Sequence, residues 1–223
     1  MVFKVDVVTK YLPLLLQGMK LTIQLTSFAV AVGTVIGLIV SLLRISRFKF
    51  LGWLAKAYVD FFRGTPLLVQ IFLVHYGLPK LLGMQSIPAH ISGSIALSIN
   101  SGAYVSEIFR AGIQSIHHGQ MEAARSLGMT YGQAMAYIIL PQAFKRCIPP
   151  LGNEFIAMLK DSSLVSVIAL QELTHSGRIM LTRSFRPIET WITVALLYLI
   201  MTLTISQLVS YLERRFAKDD HGE

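Results

Sequence analysis

An all-α membrane protein with five transmembrane helices is the fold class this sequence predicts, and three observations predict it. Apolar residues make up 53% of the 223 positions and charged residues only 14%, against about 25% charged in an ordinary soluble domain. With a mean hydropathy of +0.58, too few charges remain to cover a soluble globule, so the excess apolar surface faces lipid. The uncharged runs Leu21 to Leu43, Leu81 to Ser106 and Thr190 to Leu212 are each long enough, as helix, to cross about 30 Å of hydrocarbon. Two further candidates are interrupted: Asp60 to Tyr76 carries Pro66, and Ile148 to Leu170 carries Glu154, Lys160 and Asp161.

The basic residues supply the third observation. Arg44, Arg47, Lys49, Lys56 and Arg63 follow the first span; Arg110, Arg125, Lys145 and Arg146 lie between the third and fourth; Arg214, Arg215 and Lys218 follow the fifth. The positive-inside rule collects these in the cytoplasm, with the N-terminus outside and the C-terminus inside. The opposite side receives Lys4, Lys10, Lys20, Lys80, Arg178, Arg183 and Arg186. The net charge of +8 is thus distributed by topology rather than gathered into the basic patch of a nucleic-acid binder.

In chain order, residues 1 to about 20 read as an amphipathic outer segment in which Pro13 suits a helix start. Gly33 and Gly37, four apart in the first span, form a packing face for another helix. The basic connection Arg44 to Lys56 leads to the second span, where Pro66 falls at an early helical position and caps rather than breaks it. Gly77 to Ala89 is an outer loop, with Pro79, Gly83 and Pro88. The third span ends on Glu107 and Arg110, three apart and therefore an ion pair on one helical face. Pro141, Pro149 and Pro150 divide the next region into short pieces before the fourth span. Gln171 to Arg186 is a polar, partly helical outer region, and Trp191 marks the membrane interface of the fifth span. The chain reads as a single domain, 1–223, whose first apolar run stays in the mature protein because no small-residue cleavage site follows it.

Catalytic signatures are missing. No phosphate-binding Gly-x-x-x-x-Gly-Lys-Ser/Thr loop, zinc-protease motif or nucleophile elbow occurs. Cys147 is the only cysteine, which excludes a disulfide within the chain and a thiolate metal cluster. His117 and His118 are adjacent, so on a helix their rings point about 100° apart and make a poor metal pair.

One spaced pattern does carry a function. Glu122-Ala123-Ala124, three residues, Gly128, nine residues, Ile138, one residue and Leu140-Pro141 describe a short helix, a glycine bend and a second helix start, with Thr130 placed to cap the latter. The pattern resembles the cytoplasmic coupling loop of ATP-binding-cassette importer permeases, here about 114–141, matched at every position. Tyr58 to Gln70 and Gly152 to Leu164 resemble corresponding segments of the polar amino acid branch of that family. The resemblance implies a bacterial inner-membrane permease subunit that works with two ATPase subunits, a second permease chain identical or paralogous to it, and an extracytoplasmic substrate-binding protein. ATP and magnesium belong to the partner ATPase; this chain is expected to hold no cofactor and no metal, and to catalyse nothing. Lipid and an amino acid are its remaining partners, and nucleic acid is not among them.

The substrate path is expected at the fourth span. A charge at the centre of a membrane helix costs about 2.5–3.5 kcal/mol on insertion scales, so Glu154, Lys160 and Asp161 must face protein or water. Glu154 and Asp161, seven apart, share a face of a continuous helix. With Asn100 and Ser101 on the third span and Ser162 and Ser163 after the fourth, they form a candidate site for a polar, cationic amino acid such as arginine, lysine or histidine. Glutamine or another polar amino acid is the alternative. The same carboxylates also suit a proton- or ion-coupled secondary transporter, which has no need of a coupling loop. A buried pair between Lys160 and one carboxylate is the purely structural reading.

Overall fold

The computed structural model describes residues 3–46 and 48–219, with side chains up to Arg215. Arg47 and the side chain of Lys218, both counted among the basic residues above, lie outside the described part. Helices follow one another without a strand among the described residues: α1 Val5–Ile45, α2 Lys49–Gly64, α3 Leu67–Phe72, α4 Leu78–Leu81, α5 Ala89–Gln114, α6 His118–Ser126, α7 Tyr131–Ala134, α8 Leu140–Asp161, α9 Leu173–Ser184 and α10 Pro187–Asp219. Two of these, α1 and Pro187–Arg215 of α10, are long and apolar enough to cross a membrane alone, each holding an 18-residue stretch whose mean hydropathy is 2.3 and 2.0 respectively. Lys49–Gly64 and Leu67–Leu81 pass the same test together but are bent by 107°.

The bundle is built on the pair α1 and α5. Gly33 and Gly37 bring the backbones together: a Cβ at Gly33 would stand 2.8 Å from Ser101 Cβ, and one at Gly37 would stand 2.8 Å from the Ser106 backbone nitrogen. Because that neighbour is backbone, the helices themselves must part to admit a side chain. Gly37→Leu is therefore expected to lower stability by about 1–3 kcal/mol or more, read as a fall in Tm and yield of the purified protein, with Gly37→Ala intermediate.

Several boundaries differ from those read in the sequence. Residues 5 to 20 are not a separate segment but the first turns of α1. Pro13 sits inside this helix at an exposed position, while Leu15, Gly18, Thr22 and Leu25 make a continuous buried row. That packed face carries the helix through the proline, which therefore does not mark a helix start. The basic stretch from Arg44 to Lys56 is not a separate connection, since α1 runs to Ile45 and α2 already begins at Lys49. The helix expected as the third span starts at Ala89, not Leu81, because Gly83 turns the chain at φ +67 and Pro88 sits at the helix start. It runs on to Gln114 and so carries Glu107 and Arg110 within it.

Pro66 both caps and bends. It holds the N-cap of α3, and it forces Thr65 into extended backbone at φ −117, ψ 148, which ends α2. The carbonyls freed at this bend are answered by one side chain: Gln70 Nε2 donates to Phe62 O at 2.8 Å, Thr65 O at 3.0 Å and Thr65 Oγ1 at 2.9 Å.

Pro149 and Pro150 do not break the chain, since α8 is continuous through both. They line an open cavity together with Arg146, so the Arg146 carbonyl, to which Pro150 has no N–H to offer, borders space that water can enter. Wide π-helical turns at Leu73–Gly77 and Met135–Ile139 precede Pro79 and Pro141 and make room for a ring that would otherwise meet the preceding turn. The fourth span is shorter as α-helix than Ile148 to Leu170: α8 stops at Asp161, a 3₁₀ segment covers Ser162–Ile168, and Ala169 takes left-handed backbone at φ 60. Beyond it α9 packs inward through Leu173 and Met180. Its N-terminus is capped by buried Glu172, whose carboxylate accepts from the Thr174 and His175 amides and from Tyr198 Oη.

Candidate functional site: a charged cavity and the knob between its walls

The segment from Glu122 to Pro141 folds as its spacing predicts. Gly128 closes α6 in left-handed backbone, φ +85. The Met129 amide donates to Ala124 O at 3.2 Å and the Gly128 amide to Arg125 O at 3.1 Å, the paired bonds of a Schellman motif. Thr130 then caps α7 reciprocally: its Oγ1 accepts from the Gln133 amide at 3.3 Å, and Gln133 Oε1 accepts from the Thr130 amide at 2.8 Å. Glu122 and Ala123 are exposed while Ala124 is buried. Leu127, at 85% exposure, crowns the knob. Ile138 and Leu140 pack beneath it against a buried cluster of Ile113, Ile116, Ile139 and Ala143, and Pro141 starts α8. His117, considered as a metal ligand, instead caps α6 by accepting the Gly119 amide through Nδ1 at 3.1 Å. No metal-holding group of His, Cys, Asp and Glu occurs among the described residues.

The knob is spliced between α5 and α8, and these two helices also wall the main cavity. This is an open groove of about 800 Å³. Glu154, 9% exposed, forms part of its wall, and Ser101 Oγ donates to Glu154 Oε1 at 3.2 Å. The structure thus brings together two of the six candidate substrate residues. Asn100 is turned aside: its amide donates to Gln70 Oε1 at 2.9 Å and so belongs to the bend between α2 and α3. Ser162 is fully buried and donates to Leu159 O in its own helix at 2.8 Å. Asp161 is exposed and Ser163 half-buried, both beyond the cavity lining.

Three features of this region have partners distant in sequence. Glu107 binds Arg110, as its spacing predicts, but also Arg44 from α1. Arg146 donates to Ser115 O at 2.6 Å, tying the start of α8 to the end of α5. Arg63 reaches the cavity from the end of α2, its guanidinium 5.4 Å from the Tyr104 ring centroid.

An all-helical bundle with a self-closed knob inserted between the helices of a charged groove is the class of an importer permease. Residues 33–218 match the family described as binding-protein-dependent transport system inner membrane component, and the chain belongs to that family. It is a multi-pass inner-membrane protein. A probable glutamine ABC transporter permease, GlnM of Bacillus subtilis, is 43% identical over 207 residues, covering 91% of this chain and 93% of the relative. The arginine transport system permease ArtQ of the same organism is 38% identical, covering 94% and 95% of the two chains. GlnP of Escherichia coli, a glutamine transport system permease, is 39% identical over 92% of this chain and 93% of its own. Among solved structures, one described as an amino acid ABC transporter with histidines superposes with a TM-score of 0.91 at 47% identity, covering 96% of this chain and 100% of that one.

Proposed function

We propose that this chain is the permease subunit of an ATP-driven importer and forms the path for a polar amino acid, a cationic one such as arginine, lysine or histidine. The observation that carries the reading is the splice: the knob joins the two helices that wall the charged cavity, so movement of anything docked on the knob is passed to the path. Hydrolysis of ATP, with magnesium, takes place on two separate ATPase subunits, and this chain itself performs no covalent chemistry. A second permease chain, identical or paralogous, completes the path, and an extracytoplasmic binding protein delivers the substrate.

Glu154 and Ser101 provide the core of the site, with Asp161, Ser162 and Ser163 at its outer end and Asn100 acting through the bend it braces. Relatives described as glutamine permeases support the neutral alternative, and the relative described as an arginine permease supports the cationic one. In the full topology α1, the bent α2–α3–α4 unit, α5, α8 with the 3₁₀ segment, and α10 make five crossings of one domain, 1–223. The N-terminus is outside and the C-terminus and residues 111–146 are inside. Of these helices α5 hides its polarity: its serines, Asn100 and its glycines are buried against other helices, which lowers its hydropathy without exposing polar groups to lipid.

Single-cysteine labelling tests the arrangement. In a Cys147→Ala background, which adds no atom to the tight space beside Gly112, cysteines at exposed Ser115 and Gln120 are expected to resist an impermeant reagent in intact cells and to react after lysis. Labelling from outside would contradict the orientation and, with it, docking of a cytoplasmic ATPase on the knob.

A further inference from the structure

The charges bordering the cavity are not equally satisfied. Glu107 is neutralised twice, by Arg44 and Arg110. Arg146 is committed to the Ser115 carbonyl and hydroxyl oxygens. Glu154 and Arg63 are the least satisfied of the remaining charged groups. Glu154 has a single hydrogen-bond partner among the described residues, the Ser101 hydroxyl, and no cation opposes it. Arg63 has no carboxylate or carbonyl partner among the described residues, only the face of Tyr104. That ring orients the guanidinium by cation–π attraction while leaving its N–H donors free.

A groove bordered by an anion and a cation that are both poorly satisfied is complementary to a molecule that carries both charges, and it favours that molecule over one that carries only one. The guanidinium fork matches a carboxylate bidentately, which an ammonium cannot do. Resting on the amino acid reading above, we propose that Arg63 is a specificity-determining residue that receives the substrate's α-carboxylate, while Glu154 faces a cationic side chain. Recognition of the backbone carboxylate is then independent of the side chain, so it holds for arginine and glutamine alike. Tyr104, which lines the same cavity, acts as a positioning residue for the guanidinium.

The test uses the purified permease–ATPase complex without its binding protein, so that specificity is read at this chain. Binding of L-arginine and L-glutamine is measured by calorimetry beside that of L-argininamide and L-glutaminamide, which keep the ammonium and side chain but lose the carboxylate charge. The wild-type complex is expected to prefer the free acid over its amide by about tenfold to a hundredfold, the range of a charge-assisted pair. Arg63→Gln should erase that preference, Arg63→Lys should restore part of it, and Tyr104→Leu should weaken it while leaving Arg63 in place. Full discrimination retained by Arg63→Gln overturns the assignment alone. Failure of the wild-type complex to bind either free amino acid overturns the amino acid site itself, and this assignment with it.

Discussion

Gly128→Val is expected to uncouple the transporter: substrate should no longer stimulate ATP hydrolysis, while the permease should still insert and still bind substrate. The reason lies wholly in the backbone. Nothing stands within 4 Å of a Cβ at this position, so a side chain meets no steric obstacle. But Gly128 sits at φ +85, where a β-branched residue is strained by roughly 1–3 kcal/mol. Relaxing that strain rotates the bend and breaks the bonds from the Met129 and Gly128 amides to Ala124 and Arg125. Leu127 and the α7 capping box are then presented at another angle. Asparagine tolerates left-handed backbone, so Gly128→Asn should retain most of the stimulation and Gly128→Ala should fall between. The assay is ATPase activity of the reconstituted complex with and without substrate. Wild-type stimulation in the valine variant would remove the loop from coupling.

Glu154→Gln should lower uptake of arginine by about tenfold or more, the loss expected when a charge-assisted contact becomes a neutral one, and change glutamine uptake little. The substitution keeps shape, and glutamine Oε1 can still accept from Ser101, so packing of α5 on α8 is preserved. What disappears is the negative charge in a nearly closed wall position, 9% exposed. Uptake of each labelled amino acid into proteoliposomes at matched protein levels provides the comparison. Unchanged arginine transport would take Glu154 out of the site.

The knob was legible because its signals are local. A glycine after the last helical residue and a threonine three before a glutamine dictate cap geometry whatever surrounds them. The pair Glu107 and Arg110 was legible for the same reason, whereas Arg44, 63 positions from Glu107, could be found only in three dimensions. Asn100 illustrates a different limit. A primary amide serves a substrate or a backbone carbonyl equally well, and only the bend at Pro66, with Gln70 beside it, draws it away from the cavity. The prolines misled in both directions. Pro149 and Pro150 suggested a break, but the cavity supplies the space and solvent access that let α8 continue. Pro13 suggested a helix start, yet its ring points outward while the opposite face remains packed. Arg63 lies in a stretch marked by its family likeness, but its place on the cavity wall beside Tyr104 of α5 is a contact between residues 41 positions apart that the sequence does not show.

The central claim is an amino acid path driven by a separate ATPase, and ATP hydrolysis by the reconstituted complex, screened across the amino acids with the matching binding protein, tests it most directly. The account predicts that hydrolysis and uptake rise together for a polar amino acid, most for arginine, lysine or histidine, and that uptake stops when the ATPase subunit is inactivated. Stimulation by glutamine alone would contradict the cationic assignment. Uptake driven by a proton or ion gradient in the permease without its ATPase would contradict the account as a whole.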